Sequence, residues 1–283
     1  MNEFDNIYPD MRASGQTLIR QCQLVMLRML KITHYLCEKH GVQYFLVGGS
    51  LLGAIRHNGF IPWDDDLDIG MTRENYEQFV KCAVPELPGD IFFQTDETDP
   101  GYPSCGYVEA RLRDKYSSYK DRDAKHDINT HQGLQVDIFV YDRAFLPDNR
   151  LIILENLLLK AISGSNKIRT AIIKRISKYS PASLVYASSY LQTMGMWNFG
   201  ANYIKENELA GLIKTKFEDM EAYIPVGWNS CLKRQYKDYM QLPPPEKRQG
   251  HHITAEMADP FTPCIHKEVL NWKERHNNVY TEN

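Results

Sequence analysis

The sequence lacks the long apolar runs and the strong charge of one sign that mark membrane-spanning and nucleic-acid-binding proteins. Its most apolar stretch, 151–159, is short and is interrupted by Glu155 and Asn156, so it does not predict a membrane span. The formal net charge of −3 gives no reason to expect nucleic acid as a partner. With 43% hydrophobic and 24% charged residues in 283, the composition is that of a soluble globular protein.

Cysteine is also sparse, with six residues at positions 22, 37, 82, 105, 231 and 264 and no Cys-x-x-Cys pair. This spacing argues against a structural zinc site and against a dense disulfide framework. The N-terminus has acidic residues and no apolar signal core, so we expect a reducing, cytoplasmic location. The motif Gly-x-x-x-x-Gly-Lys does not occur, which disfavours a kinase that binds ATP through a P-loop.

The most informative stretch is 44–71, in which a glycine pair follows a short apolar run. The apolar run predicts a strand, and Gly48 and Gly49 allow a sharp turn and the close approach of a ligand to the backbone. Ser50 is predicted to cap a helix that begins at Leu51. Because free N–H groups at such a helix start suit a phosphate, we interpret the three residues Gly48, Gly49 and Ser50 as a candidate substrate site.

Aspartates follow this turn and supply the opposite charge preference. If 66–71 is a strand, Asp66 and Asp68 point to one face while Leu67 and Ile69 enter the core. Two carboxylates this close repel unless a proton or a cation lies between them, and one or two Mg²⁺ ions, or Mn²⁺, would suit such oxygen ligands. A phosphate site facing a metal site is typical of phosphoryl or nucleotidyl transfer. The alternative is an ordinary turn followed by a solvated acidic loop.

A third acidic candidate lies in the apolar run 133–142. Val136 and Ile138 share one face and Asp137 lies on the other, and a charge between bulky apolar residues is costly unless it is paired or binds a metal. Asp137 is therefore a candidate third carboxylate, with an aspartate on the wet face of an antiparallel sheet as the alternative. Asp142, at the end of the run, is predicted to be structural.

Basic side chains near these carboxylates are candidates for binding substrate phosphates. Arg56 lies on the short helix after the glycine turn, where it would reach a phosphate or form a salt bridge with an aspartate, and His57 is a lesser candidate. Lys247 and Arg248 follow three prolines, 243–245, and form a candidate clamp for the donor phosphates. A surface loop is the alternative for this segment.

The run GGSLLGAIRHNGFIPWDDDLDIGM at 48–71 resembles the signature of the LicD family of phosphotransferases, which is similar to the fukutin-type proteins. The family belongs to the nucleotidyltransferase superfamily, whose pattern is Gly-Gly or Gly-Ser, then Asp-x-Asp, then a third carboxylate on a later strand. The Gly-aliphatic-x-aliphatic-Asp-Ile-Phe strand around Asp137 resembles that third part. A Tyr-x-Asp-Tyr-Met-x-Leu-Pro-Pro segment at 236–244 also resembles family members, in which a glycine often occupies the position of Lys237.

This resemblance implies a fold and a reaction. The fold would be α+β, with a nucleotidyltransferase-like small mixed β-sheet flanked by helices and an added helical region, whereas periodicity alone supports only an α/β or α+β protein. The reaction would be metal-dependent transfer of phosphocholine, or a similar phospho-alcohol, from a CDP-linked donor to a hydroxyl of a cell-surface glycan or its lipid-linked precursor. The catalytic and metal-binding residues would be Asp66, Asp68 and Asp137.

Two other functions are open at this point. A nucleotidyltransferase that adds NMP to a sugar or small-molecule acceptor would use the same three carboxylates, and it would release pyrophosphate instead of CMP. A non-catalytic glycan-binding subunit would keep the fold. Loss of any of the three carboxylates would favour the second alternative, and all three are present.

Apolar periodicity predicts helices on both sides of the central stretch. A stripe of apolar residues indicates a long helix that begins at Gln16, has Lys39 and His40 at its C-terminal end and stops at Gly41. Thr72 is predicted to cap a second helix.

We divide the chain into a catalytic core, 1–145, and a mostly helical region, 146–283, whose basic, proline-rich loop completes the site. Candidate helices in the second region are 151–162, 167–178, 183–192 and 205–220. Six basic residues and no acidic one lie between positions 160 and 178. They predict either a peripheral contact with the inner face of the membrane or a solvated helix face.

Overall fold

The computed structural model describes residues 3–100, 102, 108–119, 130–144, 185–188, 203–248 and 258–264 of the chain. The helices are α1 (Glu3–Ile7), α2 (Leu18–His40), α3 (Gly48–His57), α4 (Arg73–Gln78) and α5 (Trp228–Tyr236). The strands are β1 (Phe45–Leu46), β2 (Asp68–Thr72), β3 (Ile91–Gln94), β4 (Ala110–Asp114), β5 (Ser118–Tyr119), β6 (Gln135–Ala144), β7 (Val185–Ser188), β8 (Ile204–Lys205), β9 (Leu212–Phe217), β10 (Met220–Pro225) and β11 (Ala258–Asp259).

The main sheet has the strand order β1-β2-β6-β4-β3, and it continues through β7, which pairs with both β6 and β8. β2 and β6 run parallel, while the other neighbours in this sheet are antiparallel. Two further pairs, β9 with β10 and β5 with β11, form small antiparallel sheets. A mixed sheet combined with helices agrees with the predicted α+β class.

The two faces of the main sheet differ in chemistry because side chains alternate along each strand. Ile69 of β2, Ile138 of β6 and Leu112 of β4 are buried on the face against which α2 and α4 pack. The opposite face carries Asp68 and Asp137, which are partly exposed. The sheet thus separates a hydrophobic core from a polar face that holds the predicted carboxylates.

The ends of the two predicted core helices lie close to where the sequence places them. The Thr17 hydroxyl accepts a hydrogen bond from the Arg20 N–H at 3.2 Å at the start of α2, and Gly41, with φ +66°, ends this helix. The Thr72 hydroxyl accepts a hydrogen bond from the Asn75 backbone N–H at 3.5 Å at the start of α4. The caps at Thr72 and Gly41 are therefore confirmed.

The helix predicted over 205–220 is wrong, because this segment contains β8, a short 3-10 turn and the hairpin formed by β9 and β10. Gly211 interrupts the helical pattern, and the β-branched residues Ile213 and Thr215 alternate with lysines in the following strand. β-Branched side chains favour strands over helices, and this alternation suits a pleated hairpin.

Of the three other helices predicted after position 150, one is wrong and two lie outside the described residues. The helix predicted over 183–192 is wrong where the structure describes it, since Val185–Ser188 form β7. The predicted helices 151–162 and 167–178, with the basic stretch between positions 160 and 178, lie outside the described residues.

The region 146–283, which we separate from the catalytic core on the basis of the sequence, contributes β7 and β8 to the main sheet. The boundary proposed between residues 145 and 146 stays a prediction. Across the described ranges, no helix combines the length and the apolarity needed to cross a membrane.

Buried ion pairs fasten the N-terminal elements to the apolar face of the sheet. Arg73, the first residue of α4, donates to both carboxylate oxygens of Asp142 at 2.9 and 2.6 Å and to Glu109 at 2.9 Å. Arg12 makes a similar two-point contact with Asp114 at 3.2 and 2.9 Å. Because Asp142 is buried and paired in this way, its structural interpretation is confirmed.

We expect Asp142→Asn to lower the free energy of unfolding by about 3 kcal/mol, because it leaves the buried Arg73 guanidinium without its main counter-charge. Urea denaturation followed by circular dichroism measures this loss. The double variant Arg73→Met/Asp142→Leu removes both charges, so it should recover most of the lost stability. A single variant as stable as the wild type would contradict the assignment.

Candidate active site

Asp68 and Asp137 lie side by side on the polar face of the sheet. Their Cα atoms are register partners on the parallel strands β2 and β6, which places the two side chains on neighbouring strands about 5 Å apart. The Asp137 N–H donates to the Leu67 carbonyl at 2.9 Å and stabilises this register. The sequence separates these aspartates widely, and the pairing of the two strands brings them together.

The glycine turn lies directly against the carboxylates. Gly48 has φ +54°, which favours glycine, and a Cβ added there would stand 3.3 Å from the Asp68 Oδ2. A Cβ on Gly49 would stand only 2.8 Å from the Asp64 Oδ2 and 3.9 Å from the Asp66 Oδ1. The turn can approach the aspartates this closely because both residues lack a side chain.

Ser50 has a different local role from the predicted helix cap. The helix α3 begins at Gly48, and its N-cap residue, Val47, makes no side-chain capping bond. The Ser50 hydroxyl is buried and accepts a hydrogen bond from the Asp68 N–H at 2.8 Å. The predicted cap is therefore wrong, because the hydroxyl is used to join the glycine turn to the first residue of β2.

Asp64 is a site residue that the sequence interpretation does not single out. It precedes β2 together with Asp66, because the strand begins at Asp68 and not at Asp66 as predicted. The contact between Asp64 and the glycine turn places it in the same cluster. A signal for it is present in the sequence, since aspartates at 64, 66 and 68 recur with the two-residue period of an extended chain.

Mutual repulsion governs the electrostatics of this cluster. Burial, followed by the neighbouring carboxylates, raises the pKa of Asp64 to about 8. Burial, followed by the charges of Asp66 and Asp137, raises the pKa of Asp68 well above its ordinary value of 3.8. Carboxylates crowded in this way take up either protons or a cation.

Arg111 pairs with the predicted third carboxylate. It faces Asp137 across the antiparallel strands β4 and β6, and its Nε lies 2.8 Å from the Asp137 Oδ1. The guanidinium also stacks over the ring of Tyr102, with 5.4 Å between the guanidinium carbon and the ring centroid. No local sequence pattern indicates this pair, because the partner of Asp137 depends on the strand register.

The described residues contain no group of three or more His, Cys, Asp or Glu side chains arranged to hold a metal ion. Asp137, the predicted third ligand, is engaged by Arg111. Mg²⁺ nevertheless needs only one or two protein carboxylates, because water and substrate phosphates complete its shell. Asp66 and Asp68, which lie next to the glycine turn and repel each other, fit that requirement.

Arg56 anchors the C-terminal loop to the site. Its Nη1 donates to the Tyr239 carbonyl at 2.9 Å, and its Nε donates to the His57 Nε2 at 3.0 Å. The His57 ring meets the Trp63 ring edge-on, with the centroids 5.9 Å apart. Desolvation lowers the pKa of Arg56, and the negative charge of Asp64 partly offsets this effect. Arg56 thus lies between the carboxylate cluster and the loop.

The loop after α5 brings a second arginine to the same place. The Arg248 guanidinium carbon lies 5.7 Å from the centroid of the Trp63 ring, and its Nε donates to the Pro243 carbonyl at 2.8 Å. Lys247 has an exposed side chain in the short turn Pro245–Lys247. The structure therefore places Arg248 near the site, whereas Lys247 faces solvent.

Tyr236, at the C-terminal end of α5, is a further site residue that sequence reasoning does not single out. Desolvation, followed by the negative charges of Asp68, Asp64 and Asp66, raises the pKa of its phenol. These charges act on the phenol because α5 packs beside α3, whose first residues lie against the carboxylates. The segment 236–244 is recognisable as a motif, but the motif alone assigns no role to its first residue.

A comparison with known protein families gives a match to this part of the chain. A family model described as LicD/FKTN/FKRP, nucleotidyltransferase domain, matches residues 41–145, which include the glycine turn and the aspartates on β2 and β6.

Individual proteins are also similar to this chain, two of them over short segments and one over most of its length. An uncharacterized protein of Rickettsia prowazekii is 48% identical over 64 residues, 23% of this chain and 24% of that protein. The ribitol 5-phosphate transferase FKRP of Homo sapiens is 58% identical over 38 residues, 13% of this chain and 8% of that protein. The lipopolysaccharide cholinephosphotransferase LicD of Haemophilus influenzae is 30% identical over 267 residues, 83% of this chain and 96% of that protein. Similarity along nearly the whole length of that relative establishes that the chain belongs to the LicD family.

Proposed function

We propose that the protein transfers phosphocholine, or a similar phospho-alcohol, from a CDP-linked donor to a hydroxyl of a cell-surface glycan or of its lipid-linked precursor. As a member of the LicD family, the chain is a LicD-type phosphotransferase, and its relatives are named as transferases of cholinephosphate and ribitol 5-phosphate. The observation that carries the proposal is the contact between a glycine turn and a row of carboxylates. The reaction would take place in the cytoplasm.

The proposed metal is Mg²⁺ or Mn²⁺, which Asp66 and Asp68 would hold, with Asp137 as the proposed third ligand. When bound, such an ion neutralises the donor diphosphate and stabilises charge on the departing nucleotide. The crowded carboxylates support this role, because burial and mutual repulsion raise the pKa of Asp64 to about 8 and raise the pKa of Asp68 above its ordinary value, and a cation would relieve this repulsion.

Asp137 is suited to accept a proton from the attacking hydroxyl of the acceptor. Arg111 holds one of its oxygens at 2.8 Å, which orients the carboxylate and leaves the other oxygen for the hydroxyl. Phosphoryl transfer passes through a loose transition state, so positioning this hydroxyl in line matters more than strong activation.

The glycine turn, Arg56 and Arg248 are suited to binding the phosphates of the donor. Gly48 and Gly49 form the first residues of α3, beside the carboxylates, and the N–H groups at this helix start are the donors that we propose to hold a phosphate. Arg56, near the end of α3, and Arg248 lie where the C-terminal loop meets α3 and Trp63. A guanidinium offers two parallel donors to a phosphate, which favours these residues over Lys247 as direct contacts.

We also propose that the fold is of the nucleotidyltransferase type. The mixed sheet, with paired aspartates on two parallel neighbours and a glycine turn that leads into a helix, supports this assignment.

We expect Asp66→Asn and Asp68→Asn each to lower acceptor-stimulated CMP release from CDP-choline by about 100-fold or more. The reason is that metal-assisted charge stabilisation is worth several kcal/mol, and about 1.4 kcal/mol corresponds to a tenfold change in rate. Release of CMP by the purified protein, with Mg²⁺ and a lipopolysaccharide acceptor, is the measurement. Chelation of the metal should lower release to the same level.

Asp219→Asn is the matched control, because its side chain is 68% exposed and pairs with Lys31 away from the site. Release that survives both site substitutions would overturn the assignment of the carboxylates. Pyrophosphate release from a nucleoside triphosphate, without CMP release from any CDP-alcohol, would favour a nucleotidyltransferase. Unchanged function of Asp68→Asn in cells would favour a non-catalytic glycan-binding subunit.

The pKa of Asp64 predicts how the metal-free protein responds to pH. The folded protein holds this proton up to about pH 8, whereas the ordinary aspartate value is 3.8. The carboxyl therefore contributes stability that is complete below the ordinary value and is lost progressively as the pH rises to about 8. In EDTA, the Tm of the wild type should fall more steeply between about pH 5 and about pH 8 than the Tm of Asp64→Asn.

Thermal unfolding of both proteins across this range is the measurement. Parallel Tm curves would show that Asp64 does not titrate in this way. Added Mg²⁺ should raise the Tm of the wild type most at the alkaline end, since the cation competes with bound protons.

A further inference from the structure

The loop between α3 and β2 determines how closely Asp64 and Asp66 approach the glycine turn. Inside the loop, the Asp64 N–H donates to the Ile61 carbonyl at 2.9 Å. At its start, the Gly59 N–H donates to the Gly53 carbonyl at 3.4 Å. Two other parts of the chain, the β9–β10 turn and α2, contribute further anchors.

The β9–β10 turn contacts this loop through Glu218. Its N–H donates to the Asn58 carbonyl at 2.7 Å, and its Oε1 accepts a hydrogen bond from the Phe60 N–H at 3.1 Å. Gly59 lies directly against the carboxylate, because a Cβ at that position would collide with the Glu218 Oε1. Glu218 thus holds three consecutive residues of the loop.

The helix α2 connects this contact to Asp64. The Arg20 guanidinium donates to both carboxylate oxygens of Glu218 at 3.2 and 2.7 Å and to the Gln23 Oε1 at 3.1 Å. The buried Gln23 amide in turn donates to the carbonyls of Ile61 at 3.2 Å and Asp64 at 2.8 Å. One continuous network therefore runs from the hairpin through α2 to the backbone of a site carboxylate.

The backbone conformation of Glu218 is one that favours glycine, so the presence of a glutamate needs an explanation. Its φ of +59° lies in the left-handed region that favours glycine. The turn joins the paired residues Phe217 and Met220, so Glu218 is the first of two central residues, a position at which favoured hairpin turns often take glycine. Strain of this kind persists where the surroundings enforce it, and it concentrates at functional sites. The contacts of the side chain account for a glutamate at this position.

We propose that Glu218 is a positioning residue, which sets the 58–66 loop so that Asp64 and Asp66 stand against the glycine turn. This role rests on the proposed function, because it gives the distant β9–β10 hairpin a part in phosphoryl transfer. Glu218 acts through Gly59 and Phe60 at the start of the loop, and through Arg20 and Gln23 toward its middle. It does not contact substrate.

The test is Glu218→Gly, because glycine suits the backbone of the turn but removes the carboxylate. We expect kcat for CMP release to fall about tenfold or more, since small misplacements of catalytic groups have effects of this size, with KM for the donor changed far less. The Tm should stay within about 3 °C of the wild-type value, because relief of the backbone strain offsets the lost contacts. Amide hydrogen exchange in 58–66 should become faster.

Two variants complete the design. Glu218→Gln keeps an oxygen acceptor for the Phe60 N–H and should retain more activity than the glycine variant. Asp219→Asn changes the other central residue of the same turn, which pairs with Lys31, and should leave both the activity and the exchange of the loop unchanged.

Unchanged kcat and unchanged exchange in Glu218→Gly would overturn the proposal. So would a fall in kcat that only follows a large fall in Tm, because that outcome indicates a general structural role. If the wild type transfers no phospho-alcohol from any CDP-linked donor, the proposed function fails and the exchange data decide alone. Faster exchange confined to the loop then supports the positioning role, and unchanged exchange overturns it.

Discussion

Repulsion among carboxylates on one face of a short sheet is the constraint on which the rest of this structure depends. Asp68 and Asp137 come from parallel strands, and Asp64 and Asp66 come from the loop before the first strand. The surrounding elements hold these charges together: a serine hydroxyl accepts the backbone N–H of Asp68, and Arg111 neutralises one carboxylate from the side. The glycine turn lies directly against these carboxylates, and a cation would relieve the remaining repulsion.

Two kinds of aspartate occur within the same sheet, and their partners distinguish them. Asp114 and Asp142 lie on the apolar face, and an arginine from an N-terminal element contacts both oxygens of each. The charge of each carboxylate is balanced by its arginine, and these ion pairs stabilise the fold. Arg111 contacts Asp137 through one oxygen, and Asp68 lies among the like charges of Asp66, Asp137 and Asp64, which together with burial raise its pKa. In this second kind, a cation can relieve the repulsion between neighbouring carboxylates.

Features that depend on local periodicity could be predicted from the sequence. The alternation around Asp137 places it on the face opposite the core, and the glycine and threonine signals locate the ends of α2 and α4. Features that depend on register or long-range packing could not be predicted. The partner of Asp137, the use of the Ser50 hydroxyl and the contacts of Glu218 all arise from segments distant in sequence.

The secondary structure of the region 205–220 could not be predicted from its own residues. Its charged and β-branched residues are compatible with both a helix and a hairpin when only a short segment is considered. Pairing of β9 with β10 settles that choice, and this pairing is a property of two segments together. The candidate site is therefore easier to predict than the elements that support it. Its residues are chemically unusual, whereas the supporting residues are ordinary.

The anchoring of the carboxylate loop also bears on how large the working unit of this protein is. The matched family region covers 41–145, yet Arg20 and Gln23 precede it and Glu218 follows it. A fragment trimmed to the matched region would keep every predicted carboxylate and lose three of the side chains that hold their loop in place. The region that the family model matches is thus narrower than the part of the chain that holds the carboxylate loop in place.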